Sequence, residues 1–181
     1  AAAPAPVEPE TIVQQQRRRI DDEFVRARAW LDASVADPTT RSDLRSMALV
    51  PAVRGESPVF VIADDLEQIE SAIEWTTRRN LHPVIVGGRD AVLCGDLLAA
   101  RKIPVIVTGV HRLPRREDEP YDAAFTLPAR LAALGIPFCI ATGEAFAHER
   151  NLPFHAATAA AFGLDRDRAL AAITRDAAEI L

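Results

Sequence analysis

Basic residues are in short supply. Lys and Arg together number 21 against 26 Asp and Glu, for a net charge of −5. A general nucleic-acid surface is therefore not expected, because neutralising phosphates takes a basic face. No apolar run approaches the roughly 20 residues of a membrane span, so no membrane partner is expected either. Cysteine is almost missing. Cys94 and Cys139 are the only two, and their spacing is not that of a metal site. Cys139 lies in an apolar run, where a buried thiol acts as a small hydrophobe. The histidines, His111, His148 and His155 among them, make neither a His-x-His nor an H-E-x-x-H pattern. No G-x-G-x-x-G is present. Gly87-Gly88-Arg89 reads instead as a tight strand-to-helix turn. The first residues, Ala1-Ala2-Ala3-Pro4-Ala5-Pro6, lack the apolar stretch of a signal peptide. They read as a linker or as an end left by cleavage.

What is present is a soluble composition, 49% apolar and 26% charged over 181 residues. Val13, Ile20, Phe24, Ala27, Leu31 and Val35 recur at steps of three, four and seven and predict one long helix over Glu8–Ala36. Arg17, Arg18 and Arg19 fall on its polar side as a solvated face. Asp37-Pro38 ends it, since the residue before proline is pushed out of the α region. A second helix is predicted over Thr40–Val53, carrying Leu44, Met47, Leu49 and Val50.

The pattern then changes. Four runs rich in β-branched residues follow: Pro58–Ala63, Pro83–Gly88, Pro104–Gly109 and Pro137–Thr142. Each opens on a proline, which a strand tolerates at its first residue. Each is almost wholly apolar, the mark of a strand buried on both faces. Helical segments lie between and after them: Leu66–Thr76, Ala91–Ala100, Pro128–Leu134, Ala156–Phe162 and Arg166–Leu181. The runs start 25, 21 and 33 residues apart, the period of βα units. Right-handed crossovers make such strands parallel and sequential. The expected organisation is a tail over residues 1–7, a helical segment over 8–54 and a βα domain over 55–181. At 181 residues the chain is short of the roughly 250 of a complete eight-stranded barrel.

The chain resembles the imidazolonepropionase-related branch of the amidohydrolase superfamily, found in bacteria. Ala29–Val53 looks like the paired helices before that family's fifth barrel strand, and VRGESPV (Val53–Val59) like the phrase that leads into it. Asp64–Ile69 resembles the start of the following helix, and Leu97–Val105 the approach to strand seven. Ala169–Thr174 and Ala177–Leu181 resemble the terminal barrel helix. The likeness runs from about Arg28 to Leu181. It implies an α/β fold of four parallel βα units, half of a TIM-type (β/α)8 barrel, with an added N-terminal helical pair. It also implies hydrolysis by metal-bound water at the strands' C-terminal ends, and it favours a periplasmic or secreted location.

The ligand positions, however, do not match. Where the family has a His on strand five, this chain has Ile62. Where strand six ends in His-Gly it has Gly87-Gly88, and where strand eight reads Gly-Thr-Asp it has Ala141-Thr142-Gly143. Isoleucine and glycine offer no side chain to a metal. Asp64 and Glu144 lie two and one residues from such positions. No metal and no cofactor are therefore expected. Polar residues still gather after the strands, and seven are candidates for binding a small-molecule ligand: Asp64, Arg89, His111, Arg115, Arg116, Tyr121 and Glu144. The alternating loop His111–Asp122 could hold an anion through Arg115 and Arg116, or be an internally paired surface loop. Asp64 or Asp65 could simply cap the next helix, as Asn151 could before Leu152-Pro153.

The expected function is an amidohydrolase-like domain without metal ligands, binding a ligand or serving a structural role in a larger protein. The alternatives are an active hydrolase acting on C–N bonds with ligands supplied elsewhere, and a nucleotide-binding α/β domain. Four strands leave two open edges, so a homo-oligomer, or a missing half of the barrel, is the expected partner.

Overall fold

Thr11 and Gln14 start the first helix by a reciprocal pair. The Gln14 N–H donates to the Thr11 hydroxyl at 3.3 Å, and the Gln14 side-chain carbonyl accepts from the Thr11 N–H at 2.8 Å. Helix α1 then spans Ile12–Ala36. The computed structural model describes residues 11–143 and 146–181, so the expected start at Glu8 lies outside the described residues. The described chain divides into two compact units between Ser57 and Pro58.

In the first unit α1 pairs with α2, Leu44–Val53. Helix α2 begins four residues later than the sequence suggested. Asp43 is its N-cap, accepting from the Arg45 N–H at 3.2 Å and the Ser46 hydroxyl at 2.7 Å. Thr40 instead donates to the Asp37 and Ala33 carbonyls. Among the expected α1 stripe residues from Ile20 to Val35, only the middle ones are buried. Ala27 and Leu31 pack with Val53, Phe24, Leu49 and Val50, while Ile20, Val35, Leu44 and Met47 are exposed. The reason is length: ten residues of helix span about 15 Å and cannot cover a helix of about 37 Å.

The second unit is a sheet of four parallel strands in sequential order: β1 (Val59–Ala63), β2 (Pro83–Gly87), β3 (Val105–Thr108) and β4 (Phe138–Ala141). The proline-led runs are all strands. Helices α3 (Leu66–Arg78), α4 (Gly95–Arg101), α5 (Ala123–Ala133), α6 (Leu152–Ala161) and α7 (Arg166–Ala172) connect or follow them. One sheet face carries Val61, Ala63, Ile85, Val105, Val107, Phe138 and Ile140, which share the main core with side chains of these helices. This is the expected arrangement of four βα units, as in half of a (β/α)8 barrel.

Four elements differ from the sequence reading. The expected helix Ala91–Ala100 is a 3-10 turn over Ala91–Cys94 that runs into α4, and α6 begins at Leu152 rather than Ala156. Helix α5 begins at Ala123, with Pro128 inside it rather than at its start. The expected helix Arg166–Leu181 is broken at Ile173-Thr174. Thr174 sits at φ −133°, ψ −94°, and a separate helix α8 follows over Arg175–Ile180. Ala177 and Ile180 of α8 pack on the other sheet face, against Val84, Ile106 and Cys139. Strand register aligns Ile62, Val86, Ile106 and Cys139 in one row of that face. At the β1 end of the row the cover runs out: Ile62 is 85% exposed and Phe60 is also exposed.

Candidate functional site

In parallel strands every C-terminal end lies at one edge of the sheet, so the residues that follow them meet there. Asp64 and Asp65 follow β1. Asp65 is the N-cap residue of α3, and the Gln68 side-chain carbonyl accepts from the Asp64 N–H at 3.0 Å. The Asp64 carboxylate turns to the next strand. Its Oδ1 accepts from the Arg89 N–H at 3.3 Å and pairs with Arg112 Nη1 at 3.6 Å. The Arg89 guanidinium donates to Asp65 through Nη2.

Asp90 is the hub of the other side. Both its oxygens accept from Arg116 at 2.8 Å, a two-pronged charge-assisted pair, and Oδ2 also accepts from the Leu66 N–H at 3.3 Å in the first turn of α3. Its side chain is 6% exposed. The Arg116 hydrogen bonds hold the Asp90 carboxyl below the usual aspartate value, and Asp90 in turn raises the Arg116 guanidinium above its own. Burial pushes the Arg112 guanidinium down while Asp64 opposes that shift. The loop after β3 is thereby tied to the ends of β1 and β2. It is also braced internally, since the Arg115 N–H donates to Glu119 Oε2 at 2.9 Å and holds that carboxyl low.

Charges balance in this network, three arginines against three aspartates, but hydrogen bonds do not. The Arg89 side chain is only 5% exposed. Its Nε and Nη1, and the Nε of Arg112, are buried with no hydrogen-bond partner. Arg89 Nε stands 4.0 Å from Asp90 Oδ1, which is ion-pair range but too long for a hydrogen bond.

A second cluster forms around His111, the residue before Arg112. His111 stacks on His155 with ring centroids 4.1 Å apart, and its Nε2 is 2.8 Å from the Thr158 hydroxyl. His155 is buried.

Of the sequence candidates, Asp64, Arg89 and Arg116 come together. His111 joins the histidine pair instead. Arg115 contributes its backbone to the loop, Tyr121 is 74% exposed and turned to solvent, and Glu144 lies outside the described residues. Asp90 and Arg112 were missed as site residues. Their only sequence signal is position, directly after a strand or one turn beyond it.

The three positions compared with metal ligands have distinct surroundings. Ile62 sits on the open sheet face. A Cβ on Gly87, at φ +109°, would lie 2.7 Å from Asp64 Oδ1. A Cβ on Gly143, at φ +65°, would lie 2.6 Å from Thr108 Cβ. Both glycines also hold a backbone conformation that side chains rarely adopt. No group of three or more His, Cys, Asp or Glu side chains suited to a metal forms among the described residues. Two cavities, of about 240 and 300 Å³, open beside Cys94 and beside Arg168 and Asp176. Neither is lined by a residue of the network.

No family model matches the chain, and no curated protein does. Among solved structures, the crystal structure of an amidohydrolase from Thermotoga maritima MSB8 superposes with a TM-score of 0.82 at 22% identity, over 95% of this chain. This chain spans 46% of that one, less than half its length. The likeness is one of fold, and the fold of this chain is amidohydrolase-like.

Proposed function

We propose that this chain is an amidohydrolase-like domain that holds a small ligand at its strand ends without a catalytic metal. The supporting observation is the crowding at Gly87 and Gly143. The space a ligand side chain would need at these positions is filled by the Asp64 carboxylate and by Thr108. With Ile62 on the open sheet face, the residues present do not fit a metal centre of the kind the family resemblance implies, and no hydrolytic step is derived through one. The Arg–Asp network occupies the end of the sheet where barrel enzymes carry their sites.

Elemental analysis of the purified chain tests this reading. Zinc and iron are expected well below one atom per chain after incubation with either metal and desalting. About one atom per chain, lost on Asp64→Ala, would overturn it in favour of a working hydrolase.

A further inference from the structure

We infer that Arg89 and Arg112 form a binding site for a small oxyanion, a carboxylate or a phosphate, at the C-terminal ends of β1, β2 and β3. The proposal rests on the reading above that the strand ends serve a ligand rather than a metal.

The argument is one of donors without acceptors. A guanidinium carries five N–H donors and cannot shed its charge. Arg89 is nineteen-twentieths buried, yet Asp65 takes only Nη2, and Nε and Nη1 have no acceptor. Arg112 meets Asp64 at 3.6 Å and its buried Nε has no acceptor either. A buried donor left unsatisfied is costly, and native proteins rarely tolerate several in one place. The three belong to two residues tied together by Asp64, whose Oδ1 accepts the Arg89 backbone N–H at 3.3 Å and faces the Arg112 guanidinium at 3.6 Å. Besides burial, the Arg89 charge lies close enough to push the Arg112 guanidinium down. The Asp64–Arg112 contact is longer than a hydrogen bond, so a better acceptor can take that guanidinium without breaking one. Oxyanions carry several acceptor oxygens, and the guanidinium fork matches both planar carboxylate and tetrahedral phosphate. The alternative occupant, ordered water, would satisfy the donors but bind no solute.

Calorimetric titration of the 181-residue chain with inorganic phosphate and, separately, with acetate tests the site, at fixed ionic strength against a chloride reference. Saturable binding of at least one is expected, and which one binds separates the phosphate class from the carboxylate class. Arg112→Lys keeps the charge and loses the fork, and should weaken binding about tenfold. Arg89→Lys should do the same, while Arg78→Lys on the exposed side of α3 leaves it unchanged. Circular dichroism checks that each variant is folded, and Arg112, at the edge of the network, keeps the test open if Arg89→Lys fails to fold. No saturable binding of either anion, or equal binding by wild type and Arg112→Lys, overturns the oxyanion site. Metal analysis of the same samples keeps the two ideas apart. A metal-free chain that ignores both anions sinks only the site, whereas a stoichiometric metal sinks the reading beneath it.

Discussion

Asp90 carries more bonds than any other side chain at the strand ends, so its removal should be felt most. It accepts from Arg116 twice and from the Leu66 N–H, all at a site only 6% exposed. Asp90→Asn keeps the shape but loses the charge. Urea denaturation should show a loss of about 2 kcal/mol, less than a fully buried pair because Arg116 is itself half exposed. The pH dependence has a defined sign. The Asp90 carboxyl is depressed in the folded state below its ordinary 3.8. Its contribution is therefore complete above that value and is lost as pH falls through the lower, folded one. Stability measured across acid pH should drop more gently in Asp90→Asn than in wild type. The cysteines make the opposite case. Burial pushes the Cys139 thiol up to about 11 and raises Cys94 as well. At pH 7.5 Cys139 should hold about a hundredfold less thiolate than an ordinary thiol, and alkylation followed by mass spectrometry should find it nearly inert until the chain unfolds.

At the level of elements, the strands could be read from sequence and one of the helices could not. Each strand announces itself through a proline, a run of β-branched residues and a small or polar exit; the apolar pattern is matched by burial on both faces in β2, β3 and β4, whereas in β1 Phe60 and Ile62 remain exposed. Helix α8 had no such announcement. Residues 166–181 carry an unbroken helical composition, and the turn at Ile173-Thr174 serves packing rather than local preference: it lets Ala177 and Ile180 reach the sheet face of Cys139. Ile180→Asp should lift α8 from that face. Alkylation of Cys139 should then accelerate severalfold while the far-ultraviolet circular dichroism of the sheet persists. Unchanged protection would mean that α8 contributes nothing to the cover. The Arg–Asp network was legible only as a crowd of polar residues. Asp64, Arg89 and Arg116 stood out because they follow strands, but their partners lie 24 to 48 residues away in sequence. Nothing local selects Asp90 over Asp118, or Arg112 over Arg115. Tyr121 shows the converse, a residue conspicuous in sequence that stands outside the network and is exposed.

For the whole molecule, the sheet is unfinished by the standard of a closed barrel. Strands β1 and β4 are its two edges, and Phe60 and Ile62 stand exposed on the face that closure would bury. Open edges and an apolar face together favour association, because backbone groups and apolar surface both gain partners. Sedimentation velocity at increasing concentration should show dimers or larger species, and Ile62→Lys should shift them toward monomer. A wild-type monomer at every concentration would show that edges and face are tolerated as they stand. The Thermotoga structure is more than twice as long as this chain, which spans 46% of it.

The crowding at Gly87 and Gly143 also shapes how this chain can change. A histidine introduced at 87 alone would push into Asp64 and adopt a strained backbone; an aspartate at 143 alone would collide with Thr108. Either step loosens the strand ends before any metal could reward it, and a histidine at 62 gains nothing without the other two. On the reading proposed above, conversion toward a metal enzyme would require several substitutions at once, including the withdrawal of Asp64, with each intermediate less stable than the start. A sequence in this state is held on its side of a valley: drift can rework the arginines and aspartates at the strand ends far more readily than it can install side chains at positions 87 and 143.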